Sequence, residues 1–168
     1  MIRLEPFENS DFSRLINWVQ TEEEMIIFSA DLFTFPITNN QLSHYLNASN
    51  RIIYKVLNVE TGEIIGHAEL NNINFKSKNS RICRVLIGDK KYRNHGFGTH
   101  IINELIKIAF NKLKLHRLDL GVYDFNLQAI KCYKNCGFEI EGLLKENVKF
   151  EDAYWSTYNM SILNKNHL

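Results

Sequence analysis

Tyr92-Arg93-Asn94-His95-Gly96-Phe97-Gly98-Thr99 joins a β-rich run to a helical one through two glycines, and the reading of these eight residues decides the fold. Upstream, Ile82-Cys83-Arg84-Val85-Leu86-Ile87 has the branched, apolar character of a buried strand. Downstream, Ile101, Ile102, Leu105, Ile106, Ala109 and Leu113 recur at helical spacing. Glycine accepts positive φ and lets backbone approach a ligand with no Cβ between them, so free amides at the helix start can point at phosphates. Arg93 adds a permanent positive charge. The turn is not a P-loop, because neither glycine leads into Gly-Lys-Ser/Thr, and it lacks the dinucleotide fingerprint, because Ile101 stands where that pattern has its third glycine. Taken alone, these residues also fit a glycine turn that binds nothing.

The 168 residues are 45% hydrophobic and 12% aromatic, enough for one domain with a sizeable core, residues 1–168. Twenty Lys and Arg against nineteen Asp and Glu leave a formal charge of +1, which offers no global field for nucleic acid or an acidic membrane. Met1 to Pro6 contain no apolar core segment and no run of 18 apolar residues occurs, so the expectation is a cytoplasmic protein with no membrane partner. Three cysteines, an odd number, suggest reduced thiols, and no Cys-x-x-Cys or His-x-x-x-His pairing supports a metal site.

Ile2 and Leu4 alternate with Arg3 and Glu5 as a short strand. Ser10 or Asp11 can cap a helix whose apolar stripe is Phe12, Leu15, Ile16 and Val19. Thr21 with Glu24, and Thr38 with Gln41, have capping-box spacing and predict two further helices. The aromatic connector from Ile27 to Pro36 is long for an idle loop; it reads either as a wall of a substrate cleft or as a lid over the sheet. Arg51 to Val59 and Glu63 to Asn71, around Glu60-Thr61-Gly62, predict a hairpin, followed by a polar loop to Ser80. Beyond the glycine helix, Leu118, Leu120 and Val122 mark another strand, which makes a βαβ crossover and a parallel pair inside a mostly antiparallel sheet. Asn126 opens a short helix that ends at Gly137 and puts Asn126 and Tyr133 on one face; Phe138 to Ile140 and Tyr154 to Leu163 then predict two more strands. The fold class is α+β.

Arg93-x-x-Gly96-x-Gly98, then helix and strand, then Asn126-x-x-Ala129-x-x-x-Tyr133-x-x-x-Gly137-Phe138 resembles the GNAT family of acetyl-CoA-dependent N-acetyltransferases, over residues 1–163. Glu141-Gly142 and the tail through Glu151-Asp152 and Tyr158 are similar to the RimJ/RimL and spermidine acetyltransferase branch. The resemblance implies a GNAT-like sheet whose central parallel pair is splayed at a bulge, with helices on both faces. It implies that the turn amides of Asn94, His95, Gly96, Phe97, Gly98 and Thr99, with Arg93, hold the diphosphate of acetyl-CoA. Main-chain groups of Val85, Leu86 and Ile87 would pair with the pantetheine arm, a free amide near Leu86 would polarise the thioester carbonyl, and Asn126 would hold the arm.

Tyr133 matches the general acid that protonates the departing thiolate; a core tyrosine is the plain alternative. The base is less defined. Glu69, on the same side of its strand as His67 and Asn71, is the first candidate, since related spermidine enzymes carry an acidic residue in a similar place; a solvated strand glutamate is the competing reading. Relatives carry Glu in the bulged strand where this chain has Cys83, which turns the expectation toward water-mediated proton transfer. The function implied is acetyl transfer to a primary amine on a protein N-terminus, a polyamine or a small metabolite; family members often form homodimers, and the sequence shows no partner face and leaves the oligomeric state open. A binding module that senses acyl-CoA without turnover is the alternative. Glu22, Glu23, Glu24 and Asp31 flank the expected cleft and favour a cationic acceptor, unless they serve only the helix dipole.

Overall fold

Alternating apolar runs separated by polar turns build one seven-stranded sheet, and two groups of helices cover its faces. The structure, a computed structural model, describes residues 1–165. Seven strands, β1 (Ile2–Pro6), β2 (Ile52–Asn58), β3 (Ile64–Asn74), β4 (Asn79–Ile87), β5 (Arg117–Tyr123), β6 (Glu139–Phe150) and β7 (Ala153–Leu163), lie in the order β1-β2-β3-β4-β5-β7-β6. Only β4 and β5 run parallel, as a crossover through a helix requires. The polar loop expected after Asn71 is shorter than its composition suggests, because β3 runs on to Asn74 and β4 begins at Asn79. β6 extends far past Ile140; paired to β7 on one side only, it needs no apolar alternation and reads as loop in the sequence.

On one face, α4 (Phe97–Lys107) and α5 (Leu127–Asn135) cover the sheet. Ile101, Ile102 and Leu105 of α4 are fully buried against Ile65, Leu118 and Met160. Each such side chain contributes on the order of 2 kcal/mol of hydrophobic stabilisation. On the other face α1 (Phe12–Trp18), α2 (Glu22–Ser29) and α3 (Asn39–Asn47) enclose a second core around Leu15, Leu42 and Tyr45. Thr21 and Thr38 cap α2 and α3 as their spacing predicts, accepting from the amides of Glu24 and Gln41. Asp11 does not cap α1 with its side chain: a 3-10 turn over Asn9–Asp11 intervenes, and the Asp11 carboxylate instead accepts from the Glu8 amide and pairs with Arg14. No helix among the described residues is long and apolar enough to cross a membrane.

His67 of β3 is fully buried in the second core, edge-on to Phe7 and Phe28 at ring distances of 4.8 and 5.5 Å. Burial, reinforced by the Arg84 charge and opposed by Asp11, lowers its pKa to about 3. The unfolded chain therefore binds a proton below the ordinary value of about 6.5 that the folded chain refuses until about pH 3. The unfolding free energy should fall as pH drops through that window, by about 5 kcal/mol at most. Denaturant titrations between pH 7 and 4 check this; His67→Gln should flatten the slope, and an equally steep slope in that variant would remove His67 as its source.

Candidate active site

The site begins with a count mismatch between β3 and β4. Glu69 stands opposite Cys83 and His67 opposite Leu86, so Ala68 faces the two residues Arg84 and Val85. The extra residue is accommodated at Arg84, whose φ is +51°. On its other side β4 pairs with β5 only from Asn79–Arg117 to Ile82–Leu120, and beyond that the two strands diverge. A cleft of about 770 Å3 opens in the gap, lined by Val85, Leu86 and Ile87 on one side and Gly121, Val122 and Tyr123 on the other. The bulge and the splay are those the sequence implies, and the β4 edge from Cys83 onward has no strand against it.

The glycine turn closes one end. Gly96 sits at φ +80° as the N-cap of α4, a conformation that side chains with a Cβ avoid, and a Cβ there would project into open space. Apart from bonds inside α4, no acceptor in the protein serves the amides of Asn94 to Thr99 among the described residues. Six successive free donors at the positive end of a helix are an arrangement that suits an anion, and all six residues except the exposed His95 line the cleft. Arg93 also lines it, but its Nε and Nη2 donate to the carbonyls of Ile87 and Gly88 at 3.0 and 3.1 Å, so this side chain staples the turn to the end of β4 as well as charging it. The Asn94 side chain accepts from Gln128 of α5, which sequence reasoning did not single out.

α5 supplies the opposite wall. Asn126 caps it, accepting from the Ala129 amide at 3.2 Å, and lines the cleft together with Tyr133. The Tyr133 hydroxyl has no hydrogen-bond partner in the protein among the described residues. Burial and the neighbouring thiols Cys132, Cys83 and Cys136 push its pKa well up, so it stays protonated at neutral pH. Cys132 is a second wall residue the sequence left unmarked. Hydrogen bonds from Cys136 and then Thr99, against the effect of burial, lower its thiol to about 6.

The structure corrects the reading of Glu69. It is fully buried rather than solvated, and it does not line the cleft. Arg84 grips both its oxygens through Nε and Nη2, Tyr45 donates to Oε2 at 2.6 Å, and Arg51 approaches Oε1 at 3.4 Å. His67 Nε2 donates to the same tyrosine oxygen at 3.1 Å. A carboxylate saturated in this way has no oxygen left to take a proton from an amine in the cleft; it fastens the bulge instead. Glu24 is the only carboxylate on the described cleft wall, and Glu22, Glu23 and Asp31 are exposed beyond it. Of the aromatic connector, Ile27, Phe28, Ser29 and Ala30 do form wall, whereas Phe33 is buried in the second core. The remaining wall comes from Trp18, Leu144, Asn147, Val148 and Thr157. Gly88 lets the Trp18 ring lie directly on backbone, where a Cβ would overlap it at 1.9 Å. Among the described residues no group of three His, Cys, Asp or Glu side chains is placed to hold a metal ion.

A splayed parallel pair with a glycine turn of free amides at its end defines a class of protein, and comparison identifies it. The sequence profile of the acetyltransferase (GNAT) domain matches residues 4–157, so the chain belongs to the GNAT family of acetyltransferases. The L-amino acid N-acetyltransferase AaaT of Escherichia coli is 31% identical over 99 residues, 56% of this chain and 60% of that protein. The probable N-acetyltransferase YjcK of Bacillus subtilis is 24% identical over 163 residues, 94% of this chain and 83% of YjcK. The match thus spans less than two thirds of the first relative's length. A spermidine N-acetyltransferase from Vibrio cholerae, solved in complex with CoA and spermine, has the same fold: TM-score 0.82 at 24% identity, over 96% of this chain and 95% of that one.

Because a Cβ at Gly96 meets nothing in the protein, Gly96→Val should cost only backbone strain, about 1–2 kcal/mol, and leave the fold intact. Its branched side chain would stand in the cradle, and acetyl-CoA affinity should fall ~100-fold or more, a loss of about 3 kcal/mol. Calorimetry on the folded variant decides; wild-type affinity would take the diphosphate away from this turn.

Proposed function

We propose that this protein transfers an acetyl group from acetyl-CoA to a primary amine by direct attack when both are bound. The observation that carries this is the unpartnered Tyr133 hydroxyl on the wall of a cleft that ends in six free amides. The cradle and Arg93 would hold the diphosphate, the open β4 edge at Val85, Leu86 and Ile87 would pair with the pantetheine amides, and Asn126 would orient the arm. A strand amide near Leu86 aimed at the thioester oxygen stabilises the negative charge that develops there. As the amine nitrogen bonds to the acyl carbon and the C–S bond breaks, Tyr133 donates to the departing thiolate, the nitrogen releases its second proton to water to leave the neutral amide, and Tyr133 is reprotonated from solvent. The ammonium proton must leave before attack; Glu24 is the carboxylate placed to receive it through water. A pure acyl-CoA sensor would have no use for a donor at that position.

The reading includes a homodimer. β6 is an outer strand whose Ile140, Leu143 and Leu144 are exposed, and unpaired amides beside apolar side chains are a surface that a second chain covers. Sedimentation velocity should give twice the mass of one chain at micromolar concentration; a monomer there would overturn this part.

Tyr133→Phe keeps the ring and its packing against Phe138 but removes the hydroxyl. The turnover number should drop by roughly 10- to 1000-fold, the range for loss of one general acid, with acetyl-CoA affinity and melting temperature almost unchanged. Unchanged turnover in a variant whose chemical step limits the rate would sink the assignment.

A further inference from the structure

Behind one wall of the cleft two arginines share a single buried carboxylate, and one of them, Arg84, also lines the cleft. Arg84 uses Nε and Nη2 on Glu69, which leaves Nη1 without a partner among the described residues. Its side chain is only 8% exposed, yet Nη1 is not among the fully buried unpartnered atoms, and Arg84 forms part of the cleft wall. Behind it stands a second guanidinium, Arg51, with Nε and Nη1 buried and lacking hydrogen bonds, and both cations stack on the Tyr45 ring at 5.5 and 5.2 Å. Two arginines thus share one carboxylate, Glu69, while His67 beside them is neutral. Asp11, the next carboxylate, has its own cations in Arg14 and Lys55. An uncompensated cation in a place so dry is costly unless a ligand anion meets it. A guanidinium fork already gripping one carboxylate retains N–H donors for a second.

The walls around this charge are apolar: Trp18, Val19, Ile27, Phe28, Leu144 and Val148. Of the arginines on the described wall, Arg81 is paired with Asp119 and Arg93 is bonded to the carbonyls of Ile87 and Gly88, which leaves Arg84 as the one with an unused donor beside the apolar residues.

We propose that Arg84 is a carboxylate receptor in the acceptor subsite, and that the acceptor is a free α-amino acid with an apolar side chain rather than a polyamine or a peptide N-terminus. The inference rests on the acetyl transfer proposed above. Arg84 is the bulge residue itself, one position before Val85, so a carboxylate on its Nη1 sits beside the segment where the thioester would lie, and an α-amino group is held two bonds from that carboxylate. Bound this way, the amino group is carried to the acyl carbon by the same strand distortion that opens the cleft.

The test compares L-phenylalanine, L-phenylalaninamide, phenethylamine and spermidine as acceptors in a thiol-release assay with acetyl-CoA. The amide mimics a peptide N-terminus, and its amino group is the less basic, so more of it is unprotonated; an advantage for the free acid then reports recognition. L-phenylalanine should exceed the amide in kcat/KM by ~10-fold or more, equivalent to about 1.4 kcal/mol. Arg84→Lys, which keeps the charge but loses the fork, should lower kcat/KM for the acid more than for the amide; an equal drop for both would mark only the loss of the bulge lock and would overturn the receptor role. Equal rates for acid and amide, or preference for spermidine, would overturn the inference and leave acetyl transfer standing. If none of the four releases thiol, the reaction itself is wrong for these amines. Calorimetry of L-phenylalanine against its amide then decides the subsite on its own, and equal or absent binding overturns it.

Discussion

The Glu69–Arg84 ion pair is the interaction on which the site depends. A residue at φ +51° in the middle of a central strand is unfavourable, and such a distortion persists only where the surroundings over-determine it. Here the fork of Arg84 takes both oxygens of a fully buried carboxylate, with Tyr45 and Arg51 closing the remaining approaches. Burial works against the Arg84 charge and the paired carboxylate outweighs it. Removing one partner would strand the other charge in a dry core, which costs more than the pair itself contributes. The bulge is therefore locked, β4 leaves β5 after Ile82, and the cleft follows from that departure.

The two faces of the sheet divide the work. Under the face covered by α4 and α5, an apolar core sets the rigid frame from which the turn amides and Tyr133 project. Under the other face, α1 to α3 enclose a core that admits Glu69, His67 and Asp11 with their partners, and α1 and α2 contribute Trp18, Ile26, Ile27 and Phe28 to the cleft wall. Tyr123 ties the halves together, donating from β5 to the Ile26 carbonyl of α2 at 3.1 Å. Cradle and acceptor wall thus rest on different packing, so one can vary without disturbing the other.

The cradle, the crossover and the helix bearing Tyr133 were legible in the chain because each is local: two glycines, a 3.6-residue period, an Asn cap. Glu69 was misread for the opposite reason. Strand alternation says which residues share a side but not whether that side is wet, and its partners Arg84, Arg51 and Tyr45 lie 15 to 24 positions away with no spacing rule to connect them. Arg84 itself carried no signal, since a bulge arises from a mismatch between two strands and neither strand shows it alone. Gln128 and Cys132 escaped because their role exists only once α5 is laid against the turn. The length of β6 escaped because an outer strand exposed on both faces has no hydrophobic pattern to read.

The thiol of Cys132 gives the cleft a built-in reporter. Hydrogen bonds from Cys136 and Thr99 lower its pKa below that of an ordinary thiol, so a soft alkylating reagent finds it ahead of Cys83, whose pKa burial raises, and Cys136, which is raised by its bond to Cys132. A sulfur in contact with Thr99, on the wall between the turn and Tyr133, is shielded by whatever fills that wall. Its labelling rate therefore reports whether any ligand covers that wall, without turnover and without a chosen amine.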